Sequence, residues 1–344
     1  MKVCLQIAIV IGSLWSSAFY SASLFASDYV VYEGTQGPGA GKHLAFLTGD
    51  EEYRSEEGLV QLAKILAFRH GFRTTVLFAI DPKDGTINPN VNNSLPGVEV
   101  LASADALILG LRFRRYPDKI MQPFVDAYLS GKPIVAVRTS THAFNFPADS
   151  KSNFTRYSHR SKEWPGGFGR QVLGETWVTH LGTNHKEATR GIPVVAVENH
   201  PLLRGVGEVF AESGSYTADP MPDSTILMHG QVLAGMNPDS PPETGGKNDP
   251  LQPVAWSREH KNEAGNINRV LCTTMGAATD LLDESLRRLL VNGVYWGLKL
   301  EIPERADVRL IGNYHPSDYS FNGFRKGVKP AELNLTKEEA LVDE

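Results

Sequence analysis

The sequence predicts an α/β domain built on a parallel sheet with helices on both faces. Three observations carry this. Apolar runs of strand length recur at 42–48, 73–79, 104–110 and 133–137. Stretches of helix length separate several of them, with apolar residues at helical spacing. The first, third and fourth runs empty into charge and hydroxyls, as GDEEYRS, LRFRRY and RTSTHAF. Unbroken apolar runs suit strands buried on both faces. Ligands of open α/β sheets bind beyond the carboxyl ends of the strands, so three polar exits on one edge mark the place to look for function.

Residues 1–26 read as a secretory signal. Lys2 supplies the positive start, Ile7 to Ile11 with Leu14 and Trp15 the apolar core, and Ala18, Ala22, Ser23 and Ala26 the small residues before cleavage after Ser23 or Ala26. The apolar core is short for a membrane span and Gly12–Ser13 interrupts it. The mature chain is therefore expected in the periplasm or outside the cell. Residues 27–41 read as a glycine-rich linker or wrapped arm.

Lys42–Thr48 is the first strand. Ser55 opens a helix whose first turn carries Glu56 and Glu57, which suits the helix dipole. Leu59, Leu62, Ile65 and Leu66 keep helical spacing and Gly71 ends it. Arg73–Ala79 is the next strand, completing a right-handed βαβ unit. After a polar loop at 81–97, Ala104–Gly110 is a third strand. Pro117 sits at the first position of a helix running to Leu129, and Pro133–Val137 is the central strand. Thr139, Ser140 and Thr141 after it either face a site or cap a following helix.

From Asn145 to Gly191 the pattern changes. Trp164–Gly191 is dense in Gly, Trp and His and too long for a simple connection, so it reads as an insert closing over the site. Val194–Val197, Phe210–Glu212, Thr225–Met228, Val254–Trp256 and Arg269–Thr273 are further strands. Thr274–Ala277 is another site-facing loop and Leu281–Leu298 an amphipathic helix. The charged stretch 301–344 has the composition of a disordered tail.

The 344 residues are 41% hydrophobic and 21% charged, as in soluble globular proteins. Net charge is −5, or −6 once the leader's single charge, Lys2, is removed. No basic run or basic–aromatic stripe is present, which argues against nucleic acid as a partner. Past the leader there is no transmembrane candidate. Cys4 leaves with the signal, so Cys272 stands without a disulfide partner and reads as a buried apolar residue.

Glu175, His180 and His185 recur at intervals of five, with Trp177 between. Three such ligands plus water suit a catalytic divalent metal such as zinc, although the spacing is not that of a helix-face metal pair. The competing reading is a polar loop whose side chains bond each other or a sugar. His142 is a fourth ligand or a general acid/base. Arg112, Arg114 and Arg138 grip a carboxylate or phosphate, or pair with Asp50, Glu51 and Glu52 across the same edge. GPGAGK at 37–42 precedes the first strand and lacks the spacing of a phosphate loop.

GDEEYRSEE at 49–57, LRFRRYPD at 111–118, GKPIVAVRTSTHAFNF at 131–146, GGFGRQVLGETWVTHLGTNHKEATRG at 166–191 and TMGAATDLLDESLRRLLVNGVYW at 274–296 resemble the ThuA-like, trehalose-utilisation family. The resemblance covers 42–300. It implies a class I glutamine amidotransferase-like fold, a flavodoxin-like three-layer sandwich, here with a Gly/His-rich lid inserted. Glutaminases of that superfamily place a cysteine nucleophile at the elbow after the strand matching Pro133–Val137. Arg138 or Thr139 stands there instead, so the resemblance does not extend to ammonia-releasing chemistry. It implies carbohydrate handling, of a trehalose-like or keto-glycoside compound. The expected site has His142, Arg138 and Glu175 as catalytic groups. Tyr53, Arg112, Thr141, Trp164 and Trp177 bind the sugar, and His180 and His185 hold any metal. A non-catalytic sugar-binding protein on the same fold is the alternative.

Overall fold

A computed structural model describes residues 28–340; residues 1–26, read from the sequence as a secretory signal, lie outside the described residues. Among the described residues, ten strands form one mixed sheet: β1 (Tyr29–Glu33), β2 (His43–Gly49), β3 (Arg73–Leu77), β4 (Ala106–Leu111), β5 (Ile134–Val137), β7 (Thr189–Pro193), β8 (Val209–Ala211), β10 (Thr225–Val232), β11 (Gln252–Lys261) and β12 (Ile267–Thr273). Two short strands, β6 (His180–Leu181) of the insert and β9 (Ser215–Tyr216) after it, pair separately.

The sheet order is β1-β3-β2-β4-β5-β12-β11-β10-β7-β8. Its centre, β3-β2-β4-β5-β12, is parallel throughout. Numbered among themselves these strands run 2-1-3-4-5, the flavodoxin-like order. β1 adds antiparallel at one edge, and β11, β10, β7 and β8 extend the other edge antiparallel. The expected fold class holds, with the antiparallel extension as a refinement.

The helices α1 (Ser55–His70), α2 (Asp118–Leu129) and α3 (Glu284–Gly297) complete the layers. Leu44 and Phe46 of β2 share a core with α1 and α3, whereas Ala45 and Leu47 share one with Met121, Phe124 and Tyr128 of α2. This alternation is what a pleated strand buried on both faces requires.

Several boundaries differ from the sequence reading. Val194–Val197 is not a strand. The chain pairs earlier, as β7, and turns at Val195–Val197, leaving Val195 exposed. Helix α3 starts at Glu284 rather than Leu281, because Asp283 accepts a hydrogen bond from the Leu286 amide and caps it. Pro117 is the N-cap of α2, one position earlier than expected. The 27–41 arm supplies edge strand β1.

The stretch from 301 has little regular structure, yet it packs as a strap over α1 and α3. Ile302, Ala306, Val308, Ile311 and Tyr319 are buried. Its carbonyls are held by helix side chains: Arg69 donates to Arg309 and Leu310, Arg287 to Val308 and Arg288 to Ala306. Composition pointed to disorder because these partners are arginines of distant helices. No helix among the described residues is long and apolar enough to cross a membrane.

Candidate functional site

The parallel strands deliver β2, β4, β5 and β12 exits to one edge, as their order demands. β5 ends in a tight turn, Arg138–His142, whose first residue has φ 46°. A buried arginine in the left-handed region costs on the order of 1–3 kcal/mol and persists only where surroundings hold it. They do so here. Arg138 Nη1 donates to the Gly214 carbonyl at 2.7 Å and the Thr274 carbonyl at 2.9 Å, and Nη2 to the Ser213 carbonyl at 2.7 Å. Its guanidinium carbon lies 4.1 Å from the Tyr53 ring centre and 4.5 Å from that of Tyr216. The elbow thus exists, with a cation clamped between two phenol rings in place of a nucleophile.

The hydroxyls after it fasten the edge. Thr139 donates to Asp50 Oδ2 at 2.5 Å, and Asp50 Oδ1 accepts from the Glu52 and Tyr53 amides. Ser140 donates to the Leu109 carbonyl of β4. Thr141 Oγ1 lies 3.2 Å from His142 Nδ1, so it orients that ring. The insert docks on this turn: a Cβ on Gly169 would lie 1.9 Å from the Thr141 carbonyl oxygen.

Arg112 pairs with Glu51 and, at 3.4 Å, with Glu52, while stacking on Phe113 and Phe321. Arg114 is buried and bonds Glu51 Oε2 at 2.5 Å and the Pro89 carbonyl. Arg112 and Arg114 therefore meet Glu51 and Glu52 of the first exit, as in the second of the two arrangements the sequence left open, whereas Arg138 is taken by backbone carbonyls.

Four rings converge beyond the elbow. His142 lies 5.3 Å from Trp177 and 5.6 Å from Tyr216 between ring centres, and His180 lies 5.9 and 5.2 Å from the same two. Tyr53 Oη is 3.3 Å from His180 Nε2 and accepts from Asn184 Nδ2 at 3.1 Å. Burial, followed by Arg112, pushes His142 well below the usual imidazole range. Burial, then Arg138 and Arg112, lowers His180 to about 4. His159, tilted against Phe113 with ring centres 4.9 Å apart, is lowered by burial to about 4. All three are neutral at neutral pH. Glu52 is raised by burial, against Arg112 and Arg138. His159 Nε2 and Trp177 Nε1 are buried without a hydrogen-bond partner among the described residues.

The structure thus gathers Tyr53, Arg112, Arg138, Thr141, His142, Trp177 and His180. It does not gather the rest. Glu175 Oε1 accepts from the Thr176 amide and Oε2 from the Asp219 amide, with Arg170 at 3.1 Å, so its carboxylate staples the insert. Trp164 packs on Tyr157 and Arg156. His185 is exposed and stacks on Tyr319 at 4.3 Å. No group of three His, Cys, Asp or Glu able to hold a metal occurs among the described residues. Cys272 is buried, and burial pushes its thiol up.

Sequence reasoning missed Tyr216, Asn184, His159, Tyr319 and Phe321. Tyr319 stacks on Tyr53 at 5.6 Å from the strap. The aromatic residues Tyr314, Tyr319, Phe321 and Phe324 in an otherwise charged tail were the available signal.

No protein-family model matches the chain, and no curated protein does. Among solved structures it is similar to a protein described as ThuA-like from Bacteroides uniformis, at 16% identity over 74% of this chain and 90% of that one, TM-score 0.44. It is also similar to one described in the same way from Parabacteroides merdae, at 14% identity over 84% and 98%, TM-score 0.44. The glutaminase domain of a CTPS from Trypanosoma brucei shares 9% identity over 78% and 99%, TM-score 0.37.

Proposed function

We propose that this protein is an exported carbohydrate-active enzyme that moves protons on a keto-glycoside or trehalose-like sugar at the carboxyl edge of its sheet. The observation that carries the reading is the pair of neutral imidazoles, His142 and His180, flanked by Trp177 and Tyr216, with the Tyr53 hydroxyl beside His180. Aromatic faces pack against sugar rings. A neutral imidazole accepts a proton at neutral pH, and contact with the reacting proton is the requirement for a general base. Arg112 and Arg138 lower both histidines and would equally favour negative charge developing on a carbonyl oxygen.

Paired carboxylates of the glycosidase kind are poorly supplied. Asp50, Glu51 and Glu175 are engaged by amides, hydroxyls or arginines. Glu52 is buried with a raised pKa but meets Arg112 at 3.4 Å, so proton transfer beside a carbonyl fits better than direct hydrolysis. Glutaminase chemistry lacks its thiol here. Export rests on the leader-like residues 1–26.

The test compares His142→Ala with His180→Ala on a keto-glycoside, with sugar affinity measured alongside. Loss of turnover by roughly 10²-fold or more in His142→Ala is expected. Full activity in both variants overturns the assignment. Sugar binding without turnover in the wild type favours the binding-protein alternative.

A further inference from the structure

The sheet-edge site does not end at the imidazoles. A row of flat groups runs outward from His142 to the strap. The Phe113 ring centre lies 4.8 Å from that of His142. The Arg112 guanidinium carbon lies 4.6 Å from the Phe113 ring centre and 5.1 Å from that of Phe321. Exposure grows along the row: His142 is buried, Phe113 and Arg112 are half-buried, and Phe321 is 57% exposed. The row thus leads from the catalytic edge to open solvent.

A single exposed phenylalanine is common on protein surfaces and by itself signifies nothing. This one is held in place. The turn that carries it is fastened on both sides: Arg54 Nη2 donates to the Ser320 carbonyl, and Asn322 Oδ1 accepts from Asn90 Nδ2 at 3.0 Å. Tyr319, two residues before it, is buried and stacks on Tyr53 and on His185. At the inner end Phe113 has φ 49°, uncommon for a bulky side chain, and its amide donates to the His142 carbonyl at 3.0 Å. Both rings are therefore positioned before a ligand arrives, which lowers the ordering cost of binding.

The polar groups around Phe321 are already used. Arg112 is paired with Glu51 and Glu52, the Ser320 carbonyl with Arg54, and Asn322 Oδ1 with Asn90. What remains for a ligand is a phenyl ring with a guanidinium over one face. That surface offers little to the hydroxyls of a sugar and suits a flat arene in offset stacking.

We propose that Phe321 forms an outer subsite that takes the aromatic aglycone of an aryl glycoside whose sugar ring lies at His142 and His180. The subsite rests on the reading of this edge as a keto-sugar site, and it narrows the substrate to glycosides that carry an aryl group.

The probes are the 3-keto derivatives of phenyl β-D-glucoside, methyl β-D-glucoside and trehalose, titrated by calorimetry into the mature protein near pH 7. Wild type should bind the phenyl glycoside at least about fivefold more tightly than either of the others. Phe321→Ala should bring the phenyl and methyl glycosides to within about twofold of each other, and Phe321→Trp should keep the preference. A ratio between two ligands cancels any general loss of affinity in a variant. Deuterium exchange beside the carbonyl is followed on the same samples. The binding pattern without exchange supports the subsite and removes the proposed reaction, whereas exchange without the pattern removes the subsite alone. The proposal is overturned by a phenyl preference that is absent in wild type or unchanged in Phe321→Ala. Equal binding of the trehalose derivative, or no saturable binding of any probe, overturns it as well.

Discussion

Replacing His159 by glutamine should flatten the acid sensitivity of the fold. His159 is 6% exposed, its Nδ1 faces the Phe144 carbonyl, and burial holds it at about 4 against an ordinary value of 6.5. The sign follows from linkage. Below pH 6.5 the unfolded chain takes up a proton at this imidazole and the folded chain does not, so stability is lost as pH falls toward 4. Over the interval from pH 7 to 5, one such group removes about 2 kcal/mol. Glu56, raised to about 8 by burial, acts in the opposite sense, because the folded state keeps a proton there that the unfolded state has lost above pH 4.5. Wild type alone therefore shows a mixture, and the difference between proteins is the informative quantity. Urea denaturation at pH 7, 6 and 5 measures it. Glutamine keeps an N–H for the Phe144 carbonyl, and any fixed packing cost cancels in the slope. Wild type should lose about 2 kcal/mol more than His159→Gln between pH 7 and 5. Parallel pH profiles would refute the claim that His159 is buried neutral.

Arg138→Met should destabilise by about 3–5 kcal/mol, since the Gly214, Thr274 and Ser213 carbonyls lose a charged donor; thermal unfolding reads this directly. Gly169→Ala should displace the insert from the elbow, because its Cβ meets the Thr141 carbonyl, and limited proteolysis at 164–191 should accelerate. Dialysis against EDTA should leave turnover unchanged, because His180 is engaged by Tyr53 and Asn184 and His185 by Tyr319; activity that is lost and then restored by zinc would revive the metal reading. N-terminal sequencing of protein from the native host should start near Asp28, and an intact Met1 would contradict export.

The strands were legible because β2, β4 and β5 are uninterrupted apolar runs buried on both faces, a pattern that few other environments produce. The edge was legible for the same reason, since parallel strands send GDEEYRS, LRFRRY and RTSTHAF to one side. What Glu175 does was not legible. A carboxylate between tryptophans and histidines looks catalytic, and only three-dimensional structure shows both its oxygens taken by backbone amides. Equal spacing of Glu175, His180 and His185 suggested one ion, but the loop is not a regular helix and carries His185 out to Tyr319. The strap was misread because its burial depends on Arg69, Arg287 and Arg288 reaching its carbonyls from helices far away in sequence.

The central claim is that neutral imidazoles at this sheet edge move a proton on a keto-sugar. Its most direct measurement is hydrogen exchange at the carbon beside the carbonyl of a 3-keto derivative of trehalose, followed by NMR in D₂O near neutral pH. Wild-type protein should catalyse deuterium incorporation at that carbon, and His142→Ala should slow it by roughly 10²-fold or more. Exchange no faster than in buffer, or equally fast with His142→Ala and His180→Ala, would contradict the account.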